Sequence, residues 1–264
     1  MSRSRSKSAG PPAHVRVVPK HHALVRWSHW LHVPLLLGLL ASGLSIYWAA
    51  PVFRLAAARG GEHDVFGAIG APIAHALGDS TPAARNWIYD HLGLGTRRLA
   101  FALRLHWALA YPYLAIGVLY VIGLAAGGGW RALIPRPSDA AGALAMLRYY
   151  AGVVPMAILR RPWPHPAVRS KYNPLQRAAY FTMPILGALV AASGWAMHKP
   201  SQLGLLERAF GSYDGARVVH FFAMAGLGSF LVPHVALAVA DGWDTLRSMI
   251  VGWSARLGEA ERER

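Results

Sequence analysis

The chain has 264 residues, 54% of them hydrophobic and 15% charged, with positive mean hydropathy; with apolar runs of membrane-spanning length, this balance reads as an integral membrane protein with a single membrane domain. It contains no cysteine, which excludes disulfides, iron–sulfur ligation and thioether attachment of a cofactor and leaves the thirteen histidines to hold any metal. A net charge of +15 would raise nucleic-acid binding in a soluble protein, but here Lys and Arg cluster beside the apolar spans as orientation signals do, so no nucleic-acid partner is expected.

Residues 1–26 are a basic, Ser- and Pro-bearing arm without a small-residue cleavage site after the run that follows; this reads as a disordered cytoplasmic segment rather than a signal peptide. The first span is expected at about 28–50, SHWLHVPLLLGLLASGLSIYWAA, about 34 Å as helix and enough to cross a hydrocarbon core. His29 stands at its start between Trp27 and Trp30, Pro34 bends its early turns, and His32 follows within one turn as an alternative to His29. The connection over 51–98 is long enough to carry short helices of its own, one of them near 64–78, and reads as either a docking surface for a partner or a loop lying on the lipid headgroups. The second span, about 99–126, carries His106 near its start and stops at Gly127, Gly128 and Gly129. A basic loop follows. Its apolar stretch from Ala140 to Leu159 is interrupted by Arg148 and Pro155 and reads as an interfacial helix, not a fifth span. The third span is expected at about 175–197, ending at His198, and the fourth at about 217–240, before a charged tail over 254–264.

Lys and Arg number six in the arm, eight in the 127–177 loop and four in residues 241–264, against five in 51–98 and two in 198–216. With four spans the first three segments share one side, so the fold class expected is an all-α membrane protein, a four-helix bundle over residues 27–253 with both termini cytoplasmic.

The fourth span organises the rest. It carries His220 and His234, and fourteen residues at about 100° each fall about 40° short of four turns, so both imidazoles leave one face about 21 Å apart. Ionisable residues inside a membrane helix indicate function, and two on one stripe at opposite depths indicate two stacked cofactors, for which bis-histidine haem is the natural candidate. Depth pairs His29 with His234 for an inner haem and His106 with His220 for an outer one. Bis-imidazole ligation fills both axial positions, suiting electron transfer rather than oxygen chemistry. Gly43 and Gly117 lie fourteen and eleven residues after His29 and His106; each returns to its histidine's helical face in the opposite leaflet, as bare backbone for the other haem or as a helix contact. Gly226 and Gly228 lie between the two histidines of the fourth span, and Gly187 and Gly194 share a face of the third. Arg104 and Arg217 for the outer layer, and Arg26 for the inner, are candidates to bind propionates or are snorkelling interfacial cations. His14, His21, His22, His63, His75, His91 and His165 read as solvated.

The segments RWSHW, LRLHW, KYNPLQRAAY and WDTLRSMIVGW, with the histidine pair of the fourth span, resemble the bacterial di-haem cytochrome b subunits of formate dehydrogenase, nickel–iron hydrogenase and thiosulfate reductase, grouped with prokaryotic cytochrome b561. The resemblance covers most of residues 25–253. It implies two b haems on the histidines already paired, and a quinone site on the cytoplasmic side where Asn173 and Gln176 match the family's YNxxQ segment. Asn173 is equally suited to N-cap the third span. The function implied is electron transfer in the bacterial inner membrane between quinone and a periplasmic redox subunit, with molybdopterin enzymes as the partner class. Two rivals are a stand-alone oxidase of a small reductant such as superoxide, drawn in by Arg97, Arg98, Arg104 and Arg217, and a carrier using histidines for protons or metal.

Overall fold

The computed structural model describes residues 15–19, 23–56, 62–126, 128–164, 166, 172–240 and 243–257. Among these, four helices are long and apolar enough to cross a membrane: α1 (Ala23–Ala49), α4 (Leu99–Ala126), α6 (Pro174–His198) and α8 (Tyr213–Ala240). The shortest has 25 residues, about 37 Å at the α-helical rise and longer than the hydrocarbon thickness of about 30 Å. Between them lie α2 (Val65–Ala76), α3 (Trp87–His91), α5 (Asp139–Ile158) and α7 (Gly204–Ala209), followed by α9 (Trp243–Val251). Short strands β1 (Val15–Pro19), β2 (Arg54–Ala56), β3 (Glu62–Asp64) and β4 (Trp253–Leu257) form two antiparallel ribbons, β1 with β4 and β2 with β3.

Two compact units make up the chain: Ser28–Pro233, and the residues before it taken with those after it. In the larger unit the helices are inside-out relative to a water-soluble protein. Ser42, Ser45, Ser193, Ala102, Ala196, Ala216 and Ala223 are buried, whereas Leu103, Val118, Leu119, Val121 and Ile122 of α4 are exposed. Lipid makes this order favourable, because large apolar side chains lose nothing by facing hydrocarbon and small ones let backbones approach. A Cβ added at Gly38 of α1 would stand 2.5 Å from Leu109 Cδ1 of α4, and one at Gly226 of α8 would stand 3.0 Å from Leu186 of α6. Tyr111 and Trp195 meet edge-on at 6.3 Å between α4 and α6, and Gly228 of α8 lies beside Leu40 of α1. The four long helices thus close a ring in the order α1, α4, α6, α8.

Pro34, Pro112, Pro184 and Pro233 interrupt the hydrogen-bond ladder once in each long helix, a cost that neighbouring helices and serine hydroxyls make bearable in membranes.

The connection over 51–98 has its own small core. Leu44 and Tyr47 of α1 pack with Ile88 and Tyr89, surrounded by Trp48, Val52, Phe66, Trp87 and Phe221. Asp64 N-caps α2 by accepting from Gly67 N at 2.9 Å and also accepts the Tyr89 hydroxyl proton at 2.5 Å. Burial, then the Asp64 carboxylate, raises the Tyr89 pKa above its ordinary value, so Tyr89 stays a donor. Ser45 clasps the same connection to α1: its Oγ donates to Gly95 O and accepts from Leu94 N, both at 2.9 Å. Gly93 must lack a side chain there, since a Cβ would meet Tyr89 O at 2.6 Å. The helix expected near 64–78 is α2.

The stretch expected as an interfacial helix from Ala140 to Leu159 is α5, which is not among the four spanning-length apolar helices. Its Asp139 accepts from Arg177 NH1 of α6 at 2.9 Å in a well-buried ion pair and from Arg136 N at 2.9 Å.

Within the smaller unit, Val15–Pro19 of the N-terminal arm pairs with Trp253–Leu257 in the register Val17↔Ala255; residues 1–14 and 20–22 of the arm, expected to be disordered, lie outside the described residues. The pairing joins positions more than two hundred residues apart, which no local pattern announces. In the same unit Gly252, at φ +90°, ends α9, and Arg26 NH1 donates to Ile250 O at 2.5 Å.

Candidate functional site

The ring of helices sets α4 opposite α8, and each presents a histidine to the middle. His106 and His220 have ring centroids 6.3 Å apart with planes at 59°. Two metal–nitrogen bonds of about 2 Å in line, with about 1 Å from each nitrogen to its ring centre, require about 6 Å. The spacing therefore fits one iron held by both imidazoles.

Their surroundings fit the same group. Ser42 Oγ of α1 lies 2.9 Å from His106 Nδ1, and Ser193 Oγ of α6 lies 3.1 Å from His220 Nδ1. With Nδ1 engaged, Nε2 is left as the ligating nitrogen of each ring. Beside each serine is bare backbone: a Cβ added at Gly43 would meet His106 Cε1 at 3.7 Å, and one at Gly194 would meet His220 Cε1 at 3.4 Å. Small residues at these two points leave room for a flat macrocycle edge close to the imidazoles. Gly187 would meet nothing within 4 Å, whereas Gly226 and Gly228 face leucines across helix contacts. Of the glycines singled out in sequence, Gly43 and Gly194 border the imidazoles and Gly226 serves packing.

At the other end of α1 the two candidate ligands part. His29 packs edge-on against Trp30 at 5.4 Å. His32 faces α4: a Cβ at Gly117 would meet its Nε2 at 3.8 Å, Nδ1 lies 2.7 Å from Ser28 O, Nε2 lies 3.3 Å from Tyr113 O, and the ring stands edge-on to Tyr113 at 4.8 Å. Gly117 thus faces a first-span histidine, and that histidine is His32. His234 sits on α8 fourteen residues after His220.

The three arginines proposed for propionates have other partners or settings. Arg217 donates to Ala50 O at 2.5 Å, just past the C-terminus of α1, and to Asp214 at 3.0 Å. Arg26 holds the last turn of α9. Both place a cation where a helix C-terminus favours one. Arg104 is exposed and lines an open cleft with Arg97, Arg98, Ala100 and Phe101.

Asn173 and Gln176 form a reciprocal N-cap on α6. Gln176 N donates to Asn173 Oδ1 at 2.8 Å, Asn173 N donates to Gln176 Oε1 at 3.2 Å, and Asn173 Nδ2 donates to Tyr150 OH at 3.1 Å. Further along α6, Tyr180, Phe181, Pro184 and Ile185 line an apolar cleft with Leu124 and Trp130. His198 lies over Trp107 with centroids 3.7 Å apart. His91 stacks on Trp87 at 4.6 Å, and His75 ends α2. His14, His21, His22 and His165 fall outside the described residues.

Sequence reasoning missed Ser42 and Ser193. The signal was the tripeptide Ala-Ser-Gly, present at Ala41–Gly43 and again at Ala192–Gly194, once on each of the two helices that do not carry the facing histidines.

The sequence pattern of the family described as prokaryotic cytochrome b561 matches residues 20–252. A protein of Azospira oryzae named as a putative protein-methionine-sulfoxide reductase subunit, YedZ1, is 28% identical over 233 residues, covering 88% of this chain and 96% of that protein. No solved structure matches.

Proposed function

Because the chain belongs to the prokaryotic cytochrome b561 family, a family of membrane haem-b electron-transfer proteins, we propose that it carries electrons between quinone and a partner oxidoreductase on the far side of the bacterial inner membrane. The observation that carries this reading is the His106–His220 pair, 6.3 Å apart with each Nδ1 engaged by a buried serine. When bound there, haem supplies reversible one-electron chemistry; the chain's own part is to hold two imidazoles in line and exclude water. Helical spacing in the sequence supports a second haem on His234 and His29, with His32 as the alternative ligand.

The apolar cleft along Tyr180 and Phe181, one turn past the YNxxQ-like segment, supports a quinone entering near the start of α6. Its ring would lie against aromatic side chains, and its carbonyls would need donors at the polar end. Asn173 and Gln176 are the proposed donors, in addition to their capping role. The partner is proposed to be a molybdopterin enzyme: the Azospira oryzae relative is named as a reductase subunit, and the connection over 51–98, with its own core against α1, offers a formed docking surface.

The deciding experiment adds a short-chain quinol to membranes containing the protein and follows b-haem absorbance. Reduction that depends on the chain and is blocked in Tyr180→Trp supports the reading; no reduction by quinol, with full reduction by dithionite, contradicts the quinone link.

The cleft of Arg97, Arg98 and Arg104 favours one second reading, a stand-alone oxidase of a small anionic reductant such as superoxide. In that case haem reduction by superoxide proceeds without a partner and slows when these arginines become glutamine.

A further inference from the structure

We propose that Ser42 and Ser193 are matched positioning residues that fix both imidazoles of the His106–His220 pair with Nδ1 protonated, and that they lower the reduction potential of the haem held there. The inference rests on the haem reading above and adds the residues that tune it.

A serine hydroxyl has one proton to donate. Ser42 Oγ stands 2.7 Å from Gly38 O and 3.1 Å from Leu39 O, carbonyls of its own helix that can only accept. The proton is therefore spent inside α1, and the oxygen facing His106 Nδ1 at 2.9 Å accepts. Nδ1 must carry the hydrogen. Ser193 repeats this arrangement on α6: its proton goes to Leu189 O at 2.5 Å, with Val190 O at 3.2 Å, and its lone pair faces His220 Nδ1 at 3.1 Å. His220 Nδ1 also lies 3.1 Å from Val190 O, which independently requires a donor at that nitrogen. Both serines are fully buried, so water does not compete for these bonds.

The consequence is electronic as well as geometric. An acceptor on Nδ1–H draws that proton outward and makes Nε2 a stronger donor to a metal. A stronger donor favours the ferric over the ferrous ion, so two such acceptors hold the potential down. Glycine follows each serine, so one Ser-Gly step orients a ring and keeps the backbone beside it bare. Neither serine touches the iron position; each acts through a histidine.

The test is a redox titration of the purified holoprotein, with the haems resolved by spectrum, in Ser42→Ala, Ser193→Ala, Ser42→Thr and the wild type. Each alanine variant is expected to raise the midpoint of one haem by about a tenfold change in ferrous-to-ferric ratio, about 59 mV for a one-electron couple, while the other haem keeps its value. Ser42→Thr restores the hydroxyl and the wild-type midpoint. An alanine variant that keeps its haem with both midpoints unchanged overturns the proposal, as does an equal shift of both haems, which would report a loosened bundle. Should the alanine variants lose haem altogether, the ¹H–¹⁵N spectrum of the reduced wild-type holoprotein decides: two slowly exchanging Nδ1–H signals from His106 and His220, one shifted in Ser42→Thr, support it, and solvent-exchanging signals overturn it. A wild type without haem would instead refute the haem reading itself.

Discussion

The two ends of α1 follow the same rule to different results. Near Gly43 the rule names one histidine: bare backbone lies against His106, whose partner His220 is already at the spacing iron needs and whose Nδ1 is held by Ser42. Near His29 and His32 it names two: the sequence motif RWSHW points to His29, while Gly117 faces His32. Helical spacing locates a layer, and hydrogen bonds around the ring choose the ligand within it. By that standard His32 is the lesser candidate, since its Nε2 lies against the Tyr113 carbonyl and its Nδ1 against the Ser28 carbonyl, a role that binds two helices rather than a metal.

The largest effects should come from the ligands. His220→Ala is expected to remove one of two haems, halving the ratio of haem to protein, with the remaining haem's spectrum unchanged. At the ambiguous end, His29→Ala should lose the other haem while His32→Ala keeps both; the reverse result would move ligation to His32 and make Gly117 a reliable guide. Space around the ring should matter next. Gly43→Ala adds a carbon at ordinary contact distance from His106 and should be tolerated, whereas Gly43→Leu should displace the imidazole and cost that haem alone. The smallest effect concerns the start of α6. Asn173→Ala removes an N-cap and should lower stability by about 1 kcal/mol, seen as a lower Tm. Asn173→Asp keeps the cap but changes the amide donor to an acceptor, so it should preserve Tm and slow quinol-driven haem reduction; full activity would leave Asn173 with capping alone.

What could be read in advance was whatever depends on one helix at a time. The four spans followed from apolar length, α2 from the length and composition of the long connection, and the pairing of His106 with His220 from depth along two helices. Arg217 and Arg26 were harder, because their partners are carbonyls of Ala50 and Ile250, 167 and 224 residues away, and a cation near a span's end looks the same whether it faces a propionate, a headgroup or a helix terminus. The β1–β4 ribbon was hidden for the same reason. Ser42 and Ser193, marked in sequence only by the repeated Ala-Ser-Gly, were easy to pass over for another: a serine in an apolar helix ordinarily returns its proton to its own backbone, and these two do so as well. Only the second lone pair, seen when the helices are assembled, is turned to a histidine.

The central claim is tested most directly by a pyridine haemochrome assay on purified protein, normalised to chain concentration and repeated on His106→Ala. Two b haems per chain in the wild type and one in the variant are the predicted result. A colourless wild type, or a variant that keeps both haems, would contradict the account.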